Sequence, residues 1–574
     1  MPRLNFDPHA FPDHTYGDVF LVPYNPVVER LEEIVTKEEW MKLDGLRGIA
    51  EQAREGVAQG RDNYDPTIAN MQGDALSAYK NVRDYVFELA VKYPDAVKDV
   101  SRDEVDITPV DGFGNIPIAV ANMNAVTGKR MAEAMSLFGG SAAIPQDKND
   151  GEMKEIADFL HSRDARYMTP ITVQMQTRVH ELTSLLEKRD IDTAIVTDAQ
   201  GKFIGVVRLQ SGSESTEFGG GIIPSGINLD TPVHSFVRSG GCVTAPEGIG
   251  AVEALALMEQ NRIHFLPILA PDGTVKGVLT KKFIAAQWRY KPHIDTANGG
   301  LAMLATVGAL NKNPVDRVKA LLDLGAKGIV FDTAHFDQGI QTYRNVEAAA
   351  AIIENARLNV LLVAGNVVTR QGTRDIIAAG AKVAKVGIGP GAMCTTRMET
   401  GVGRPQFTAI MECADEAAIY GKHVWADGGI QHPRDVALAL AAGASQVMIG
   451  SLFTPVLESP GPLKHDEGGY YKINYGMASR QAALLRSLGK KADGLRTVFR
   501  SIFDHRSEGL SAGKVYRRDE NMRSIVDYIH WLLDGLTSSM TYAGARNLDE
   551  FRRFATVGVQ TGSGYQEGTA KSVS

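Results

Sequence analysis

The sequence predicts an α/β chain: a closed (β/α)8 TIM barrel with a duplicated module inserted into one of its loops. Three observations carry this reading. From about residue 301, six short apolar runs alternate with helical patterns at intervals of roughly 20 to 30 residues, which implies a parallel sheet covered on both faces. Two further runs of the same kind lie upstream and bring the strand count to the eight that close a barrel. The long interval after the second run contains an internal repeat, so the interruption has a source of its own.

The 574 residues are 44% hydrophobic and 22% charged, an ordinary globular balance with ample material for a core. Counting 61 basic against 68 acidic residues gives a net charge of -7, which supplies no field for a polyanion, so nucleic acid is not an expected partner. The opening MPRLNFDPHAFPDH lacks a basic stretch followed by an apolar core, and no apolar run approaches the roughly 18 residues of a membrane span. The expectation is a cytoplasmic chain with no membrane partner. Three cysteines, Cys242, Cys394 and Cys413, are too few and too scattered for a disulfide framework, and each must be weighed singly.

Residues 1–164 are read as the N-terminal part of the barrel. Within them about 31–105 form a helical insertion rich in Glu, Lys and Ala, with helical patterning over 37–60 and 66–93 and no catalytic motif. The first strand is expected at 116–121, a helix at 129–137 and the second strand at 140–145. The insert spans 165–290. Glu181-Leu-x-x-Leu185-x-Glu187 recurs 72 residues later as Glu253-Ala-x-x-Leu257-x-Glu259, and the same offset relates Gly201 to Gly273 and Gly205-Val206 to Gly277-Val278. Each copy, 165–210 and 231–285, reads as helix, strand, turn, strand, with strands at 194–197 and 203–207 and at 266–269 and 275–279. The Gly/Ser-rich stretch 211–226 is expected to be a flexible connector. Residues 291–574 complete the barrel. Strands are expected at 303–308, 328–332, 360–366, 383–389, 423–427 and 446–451, with helical patterns such as 314–324, 372–379 and 433–442 between them.

The densest chemical signal is Lys385-Val-Gly-Ile-Gly389-Pro-Gly391-Ala-Met-Cys394-Thr-Thr396-Arg, directly after a strand. It belongs at the C-terminal rim, where active sites of this fold sit. Glycines there leave backbone amides and carbonyls free to face a ligand, and a thiol in such a loop is placed to act as a nucleophile. Val424-Trp-Ala-Asp427-Gly428-Gly429 and Val447-Met-Ile-Gly450-Ser451 end consecutive strands. Two Gly turns with an acid and a hydroxyl suit a nucleoside phosphate, the amides for the phosphate and Asp427 for the ribose. Asp332-Thr-Ala-His335 ends another strand, and its carboxylate could hold a second sugar. The polar, basic stretch 496–518 reads as a mobile flap that carries Glu508. No G-x-G-x-x-G after a first strand, no Walker motif and no metal cluster of the H-E-x-x-H or C-x-x-C kind is present.

These residues bring a known family into view. Gly365-Asn-Val-Val-Thr369, 387–397, Gly401-Val-Gly-Arg-Pro-Gln406, Ala426-Asp-Gly-Gly-Ile430 and 448–451 closely resemble the IMP dehydrogenase/GMP reductase family. Asp18-Val-Phe-Leu-Val-Pro23 and Ala121-Asn-Met123-Asn-Ala-Val-Thr127 resemble its opening segments, and the duplicated insert resembles a tandem CBS (Bateman) module. The resemblance implies that Cys394 attacks C2 of a purine nucleotide. Met123, Asp427, Gly428, Gly429, Gly450, Ser451, Tyr475, Gly476, Met477 and Ala478 would bind that nucleotide, while Asp332, Thr333 and Ala334 would meet the nicotinamide cofactor. A monovalent cation, K+, would rest on the backbone carbonyls of Gly389, Gly391 and Cys394.

Two family reactions compete for this chain. The dehydrogenase oxidises IMP to XMP with NAD, and its members resemble one another in an Arg-Tyr pair about a dozen residues before the flap acid. Here the region reads Gly494-Leu-Arg496-Thr-Val-Phe499, without that pair. Ser507-Glu508-Gly509 and Asn474-Tyr475-Gly-Met477 resemble the reductase, as do Ser538-Ser-Met-Thr-Tyr-Ala-Gly544 and Gly558-Val-Gln560, which are similar to a CBS-containing bacterial branch. The expectation is an NADPH-dependent GMP reductase yielding IMP and ammonia, with Thr396 and Glu508 as the acid/base pair. The alternatives are IMP dehydrogenase and a catalytically silent purine nucleotide sensor. Gln146, Ala392 and Arg506 depart from the family pattern at phosphate and base contacts. The resemblance further implies ATP or GTP as effectors of the CBS pair and a homotetramer or homo-octamer.

Overall fold

The computed structural model describes residues 3–4, 13–22, 27–62, 68–93, 100–187, 192–210, 221–237, 241–297, 299–310, 313–337, 339–477, 479, 482 and 509–568. Eight parallel strands close a barrel: β1 (Ile118–Val120), β2 (Ser141–Ile144), β3 (Met303–Gly308), β4 (Ala326–Asp332), β5 (Leu361–Val367), β6 (Val383–Val386), β7 (His423–Asp427) and β8 (Gln446–Ile449). The seam is made by β8 against β1, with Val447 opposite Ile118 and Ile449 opposite Val120. Helices α1 (Lys129–Leu137), α2 (Asp150–His161), α3 (Pro314–Asp323), α4 (Ile340–Asn355), α5 (Arg370–Ala378), α6 (Gln406–Ile419), α7 (Pro433–Ala441) and α8 (Ile525–Tyr542) follow the strands in turn.

The period of two along each strand divides the core into an inside and a shell. Leu304, Val330, Val363, Val383, Trp425 and Met448 join the interior cluster, while their neighbours Ala305, Ile329, Leu362, Ala384, Ala426 and Val447 pack outward against the helices. The N-terminal mouth is plugged. Phe113 belongs to the interior cluster, and Asp111 accepts hydrogen bonds from Trp425 Nε1 at 2.7 Å and Ser445 Oγ at 2.7 Å. Chemistry is therefore left to the opposite, C-terminal rim.

Two strands stop earlier than their apolar runs suggested: β8 ends at Ile449, where Ser451–Phe453 turns into a short 3-10 helix, and β6 falls three residues short. β6 ends at Val386, because Gly387 turns with φ +149° and its α-carbon passes so close to β7 that a Cβ would lie 2.2 Å from the Asp427 carbonyl oxygen. Gly387, Ile388 and Gly389 thus belong to the rim loop and not to the sheet.

Between β2 and β3 the repeat forms two small sheets. The first orders Thr172–Gln174, Thr193–Thr197, Phe203–Leu209 and Gly221–Ile223; the second orders Val275–Thr280, Phe265–Leu269 and Ala245–Pro246. Ile195 pairs with Val206 and Pro267 with Val278, equivalent positions at the 72-residue offset. The copies meet through those same equivalents: Phe203 N donates to Gly273 O at 3.0 Å, Val275 N donates to Gly201 O at 3.1 Å, and Lys202 bridges Thr274. The sequence duplication therefore folds about a local pseudo-two-fold axis. The connector expectation needs correction, since residues 221–223 are an edge strand against Val207–Leu209; residues 211–220 lie outside the described set.

At the N-terminal side, Val19–Val22 pairs antiparallel with Thr556–Val559, and a helix Val27–Ile34 leads into an antiparallel hairpin of Lys37–Asp62 and Ile68–Lys92. Leu31, Leu43, Tyr85 and Leu89 form its own small core. The flap expectation is also revised at its C-terminal end. Gly513–Tyr516 is a strand paired with Gly469–Asn474, which in turn pairs with Lys464–Asp466, so only 496–508 of that stretch fall outside the described residues. The Tyr471 and Tyr516 rings, 5.4 Å apart across the ladder, help to hold it.

Candidate active site

The loop after β6 carries the thiol. Cys394 is exposed, its N–H donates to Gly391 O at 3.0 Å, and its Sγ donates to the buried Thr396 Oγ1 at 3.1 Å. Arg397 braces the loop from behind, donating from Nε to Ile388 O at 3.2 Å and from its guanidinium to the Arg404 carbonyl. Gln406 ties this loop to the next strand by donating to Val386 O at 2.9 Å and Asp427 O at 3.3 Å. Of the other two thiols, Cys413 is buried in the core and Cys242 is half-buried. Burial pushes Cys413 up to about 12 and also raises Cys242, which disfavours the thiolate at both.

The segment that leads into the strand Gly513–Tyr516 returns to this loop. Gly509 forms a β-bridge with Cys394, Leu510 N donates to Met393 O at 3.0 Å, and Gly476 N donates to Leu510 O at 2.9 Å. The Tyr475-Gly476-Met477 turn and the Cys loop are thereby held edge to edge. Glu508 and Ala478, both expected in the site, lie outside the described residues.

Neighbouring rim turns complete the mouth. Gly428 has φ +88°, and a Cβ there would come within 3.2 Å of Gly391 N, so the β7 turn is seated directly on the Cys loop. Gly429 lies against the Tyr16 ring, and Gly450 against the Met123 sulfur. Ser451 Oγ accepts from Asn474 Nδ2 at 2.9 Å, which links the β8 turn to the strand before Tyr475.

Sequence reasoning did not foresee what joins the two acids. Asp332 ends β4 and Asp427 ends β7, and the ammonium of Lys385 on β6 lies between them, 2.8 Å from Asp332 Oδ1 and also hydrogen-bonded to Asp427 Oδ2. Lys385 is 1% exposed. Burial alone would lower its pKa, but the two carboxylates outweigh that and raise it above the ordinary lysine value. Asn122 Nδ2 donates to Asp332 Oδ2 and Asn366 Nδ2 to Asp427 Oδ2, each at 2.9 Å. Asn366 also donates to Gly387 O at 2.6 Å. A readable signal existed: Lys385 stands two residues after inward Val383, so the strand period points a charge into the barrel. Thr333, beside Asp332, donates its N–H to Gly365 O at 3.0 Å, and Ala334 is exposed.

The geometry is thus an exposed thiol with a hydroxyl partner, Gly turns from three consecutive strands, and two carboxylates locked on a shared cation. A model of the IMP dehydrogenase / GMP reductase domain matches residues 113–571. The chain belongs to the IMP dehydrogenase/GMP reductase family. It is an oxidoreductase of that family. It is 41% identical over 478 residues to a GMP reductase of Mycobacterium tuberculosis, covering 83% of this chain and 94% of that one. An inosine-5'-monophosphate dehydrogenase of Aquifex aeolicus is 35% identical over 458 residues, covering 79% and 88%. The crystal structure of a Trypanosoma brucei GMP reductase, a variant in complex with guanosine 5'-monophosphate, superimposes with a TM-score of 0.55 at 25% identity, covering 83% and 95%. The family match takes in the barrel and the repeat, whereas the helical hairpin lies before it. Among the described residues no helix is long and apolar enough to cross a membrane, and no group of three or more His, Cys, Asp or Glu could hold a metal ion.

Proposed function

We propose that the chain is an NADPH-dependent GMP reductase that converts GMP to IMP and ammonia. The observation that carries the reading is the exposed Cys394 with Thr396 beside it, on a loop bridged by the residue that follows Glu508. The greater identity to GMP reductases than to the dehydrogenases supports it. So does the absence of an Arg-Tyr pair before the flap acid, since a hydrolytic base is what the dehydrogenase needs.

In this reading the Cys394 sulfur bonds to C2 of GMP, and the amino group leaves as ammonia after taking a proton. Thr396 and Glu508 form the relay that delivers it. Asp427 accepts from the substrate ribose, Gly429, Gly450 and Ser451 hold the phosphate, and Met123, Gly428 and the 475–478 turn enclose the base. Asp332, Thr333 and Ala334 would meet the cofactor. The residues present fit such a group: Asp332 is fixed at the barrel mouth by Lys385 and Asn122, an oriented acceptor suited to ribose hydroxyls. NADPH, when bound, supplies the hydride that replaces sulfur at C2. Cys394 then departs as thiolate, and GMP, NADPH and two protons have become IMP, ammonium and NADP+. A K+ ion on the carbonyls of Gly389, Gly391 and Cys394 would share the Gly391 oxygen with the Cys394 N–H.

The same reading takes 165–210 and 231–285 as a CBS pair that responds to ATP or GTP in a homotetramer or homo-octamer. Its support is the pseudo-two-fold contact between the copies and a cleft of about 680 Å3 in the first, lined by Thr172, Gln174, Thr177, His180, Glu181 and Ser184. Purified protein is expected to oxidise NADPH with GMP and release IMP and ammonia, and Cys394→Ala is expected to abolish this. Turnover of IMP with NAD to XMP at a rate well above GMP reduction would overturn the assignment. A chain that binds GMP yet forms no Cys394 adduct is a sensor.

A further inference from the structure

A second buried ammonium lies near the site and takes no part in the chemistry described above. Lys472, on the strand Gly469–Asn474, is 2% exposed. It donates to Val456 O at 2.7 Å, Ser459 O at 2.8 Å and Ser459 Oγ at 3.1 Å, so all three of its protons are spent on neutral oxygens. Burial lowers its pKa to about 8, with Glu458 favouring the charge and Arg517 opposing it, so the ammonium persists at neutral pH. Taking a charge out of water is costly, and an apolar side chain would fill the same space without that cost. What the lysine adds is direction, since three acceptors from one short loop fix where its strand lies.

That loop continues the β8 turn, which begins at Gly450 and Ser451. Ser459 Oγ folds it by donating to Thr454 O and, at 3.0 Å, to Val456 O. It is fastened to the start of α8, where Leu457 N donates to Arg523 O at 3.0 Å and Glu458 accepts from Ile525 N at 2.9 Å. Two residues beyond Lys472, on the same buried side of the strand, Asn474 donates from Nδ2 to Ser451 Oγ at 2.9 Å. The amide oxygen of Asn474 accepts from Tyr475 N at 2.9 Å, which sets its orientation. Lys472 and Asn474 thus pin one strand to the exit and to the start of a single turn. The Tyr475-Gly476-Met477 turn is held from its other side, by Gly476 N on Leu510 O and Leu510 N on Met393 O.

We propose that Lys472 is a positioning residue for nucleotide recognition: on the reading that Gly450 and Ser451 hold the substrate phosphate, it keeps Asn474 seated on Ser451 and so keeps the β8 turn in the shape that grips that phosphate. Lys472 itself touches no substrate atom. Contacts to the base are held independently through Leu510, so the lysine bears on the choice of nucleotide over nucleoside.

The test compares GMP with guanosine, which lacks the phosphate, by calorimetric titration of the full chain, and follows GMP reduction in steady state. Lys472→Met keeps the length of the side chain and removes the ammonium. It is expected to weaken GMP binding and raise KM for GMP about tenfold, with guanosine binding and kcat unchanged. Asn474→Ala is expected to give the same pattern, and the double variant to bind GMP no more weakly than Asn474→Ala alone, because both losses pass through one contact. Far-UV circular dichroism checks folding. Should Lys472→Met not fold, Ser459→Ala removes one acceptor and leaves the lysine, and a loss of about threefold confined to GMP is expected. Equal losses for GMP and guanosine would mark the lysine as a staple of the fold and overturn the proposal, as would unchanged GMP binding or losses that add in the double variant. Wild-type protein that binds neither GMP nor guanosine would overturn the nucleotide reading and this inference with it, whereas firm wild-type binding of GMP leaves the variants to decide the role of Lys472 alone.

Discussion

Replacing Lys385 by Met removes the cation between Asp332 and Asp427 while keeping the length and much of the volume of the side chain. Both carboxylates reach one ammonium, so they lie within about 6 Å of each other, and at an effective dielectric of about 20 two unit charges at that distance repel by about 3 kcal/mol. Losing one partner from a buried ion pair costs about 3–5 kcal/mol, and the amides of Asn122 and Asn366, which still donate at 2.9 Å, hold the loss near the lower figure. The assay is urea unfolding of wild type and Lys385→Met side by side in the same buffer. A deficit under about 1 kcal/mol would refute the view that a single buried cation organises both acids.

Three further outcomes are expected. Gly428→Ala forces a φ of +88° on alanine and presses a methyl on Gly391 N, so kcat for GMP reduction should fall by more than tenfold while stability drops by only about 1–2 kcal/mol; an unchanged kcat in steady-state kinetics would count against the seating of one turn on the other. Glu458 accepts the N–H of Ile525 at the start of α8, and burial pushes its carboxyl up to about 7. Its stabilising effect is therefore present in acid and lost between pH 4.5 and 7, worth about 3 kcal/mol, and thermal unfolding of Glu458→Gln should show a flatter profile across that range. Asp111→Ala strips Trp425 Nε1 and Ser445 Oγ of a shared acceptor under the barrel; unfolding by denaturant should register a loss of about 2–3 kcal/mol, with GMP turnover per folded molecule unaffected.

Legibility in the sequence tracked how local each feature is. β3 and β7 run over the expected residues, 303–308 and 423–427, because apolar runs bounded by Gly or Asp-Gly mark both ends of a buried strand. β6 was expected three residues too long, since Ile388 continues the apolar pattern and nothing local reveals that Gly387 must pass under the Asp427 carbonyl. The connector 211–226 and the stretch 496–518 were read from polarity alone, and polarity cannot anticipate that 221–223 and 513–516 find strands to pair with. Cys394 and Thr396 are two residues apart, so their proximity was visible. Lys385 could be seen to point inward, but its partners could not be named.

Strand and helix order, the repeat, and the residue types at each strand end follow from the amino-acid order alone, because these depend on periodicity and on neighbours a few positions away. Closure of the barrel sets the rest. It brings residues 332, 385 and 427 to one level, although β4, β6 and β7 are separate strands and β4 is not even a neighbour of β6. A buried ammonium needs opposite charge within hydrogen-bond reach, and two carboxylates arrive there at once only when the strands that carry them curl round to face one interior.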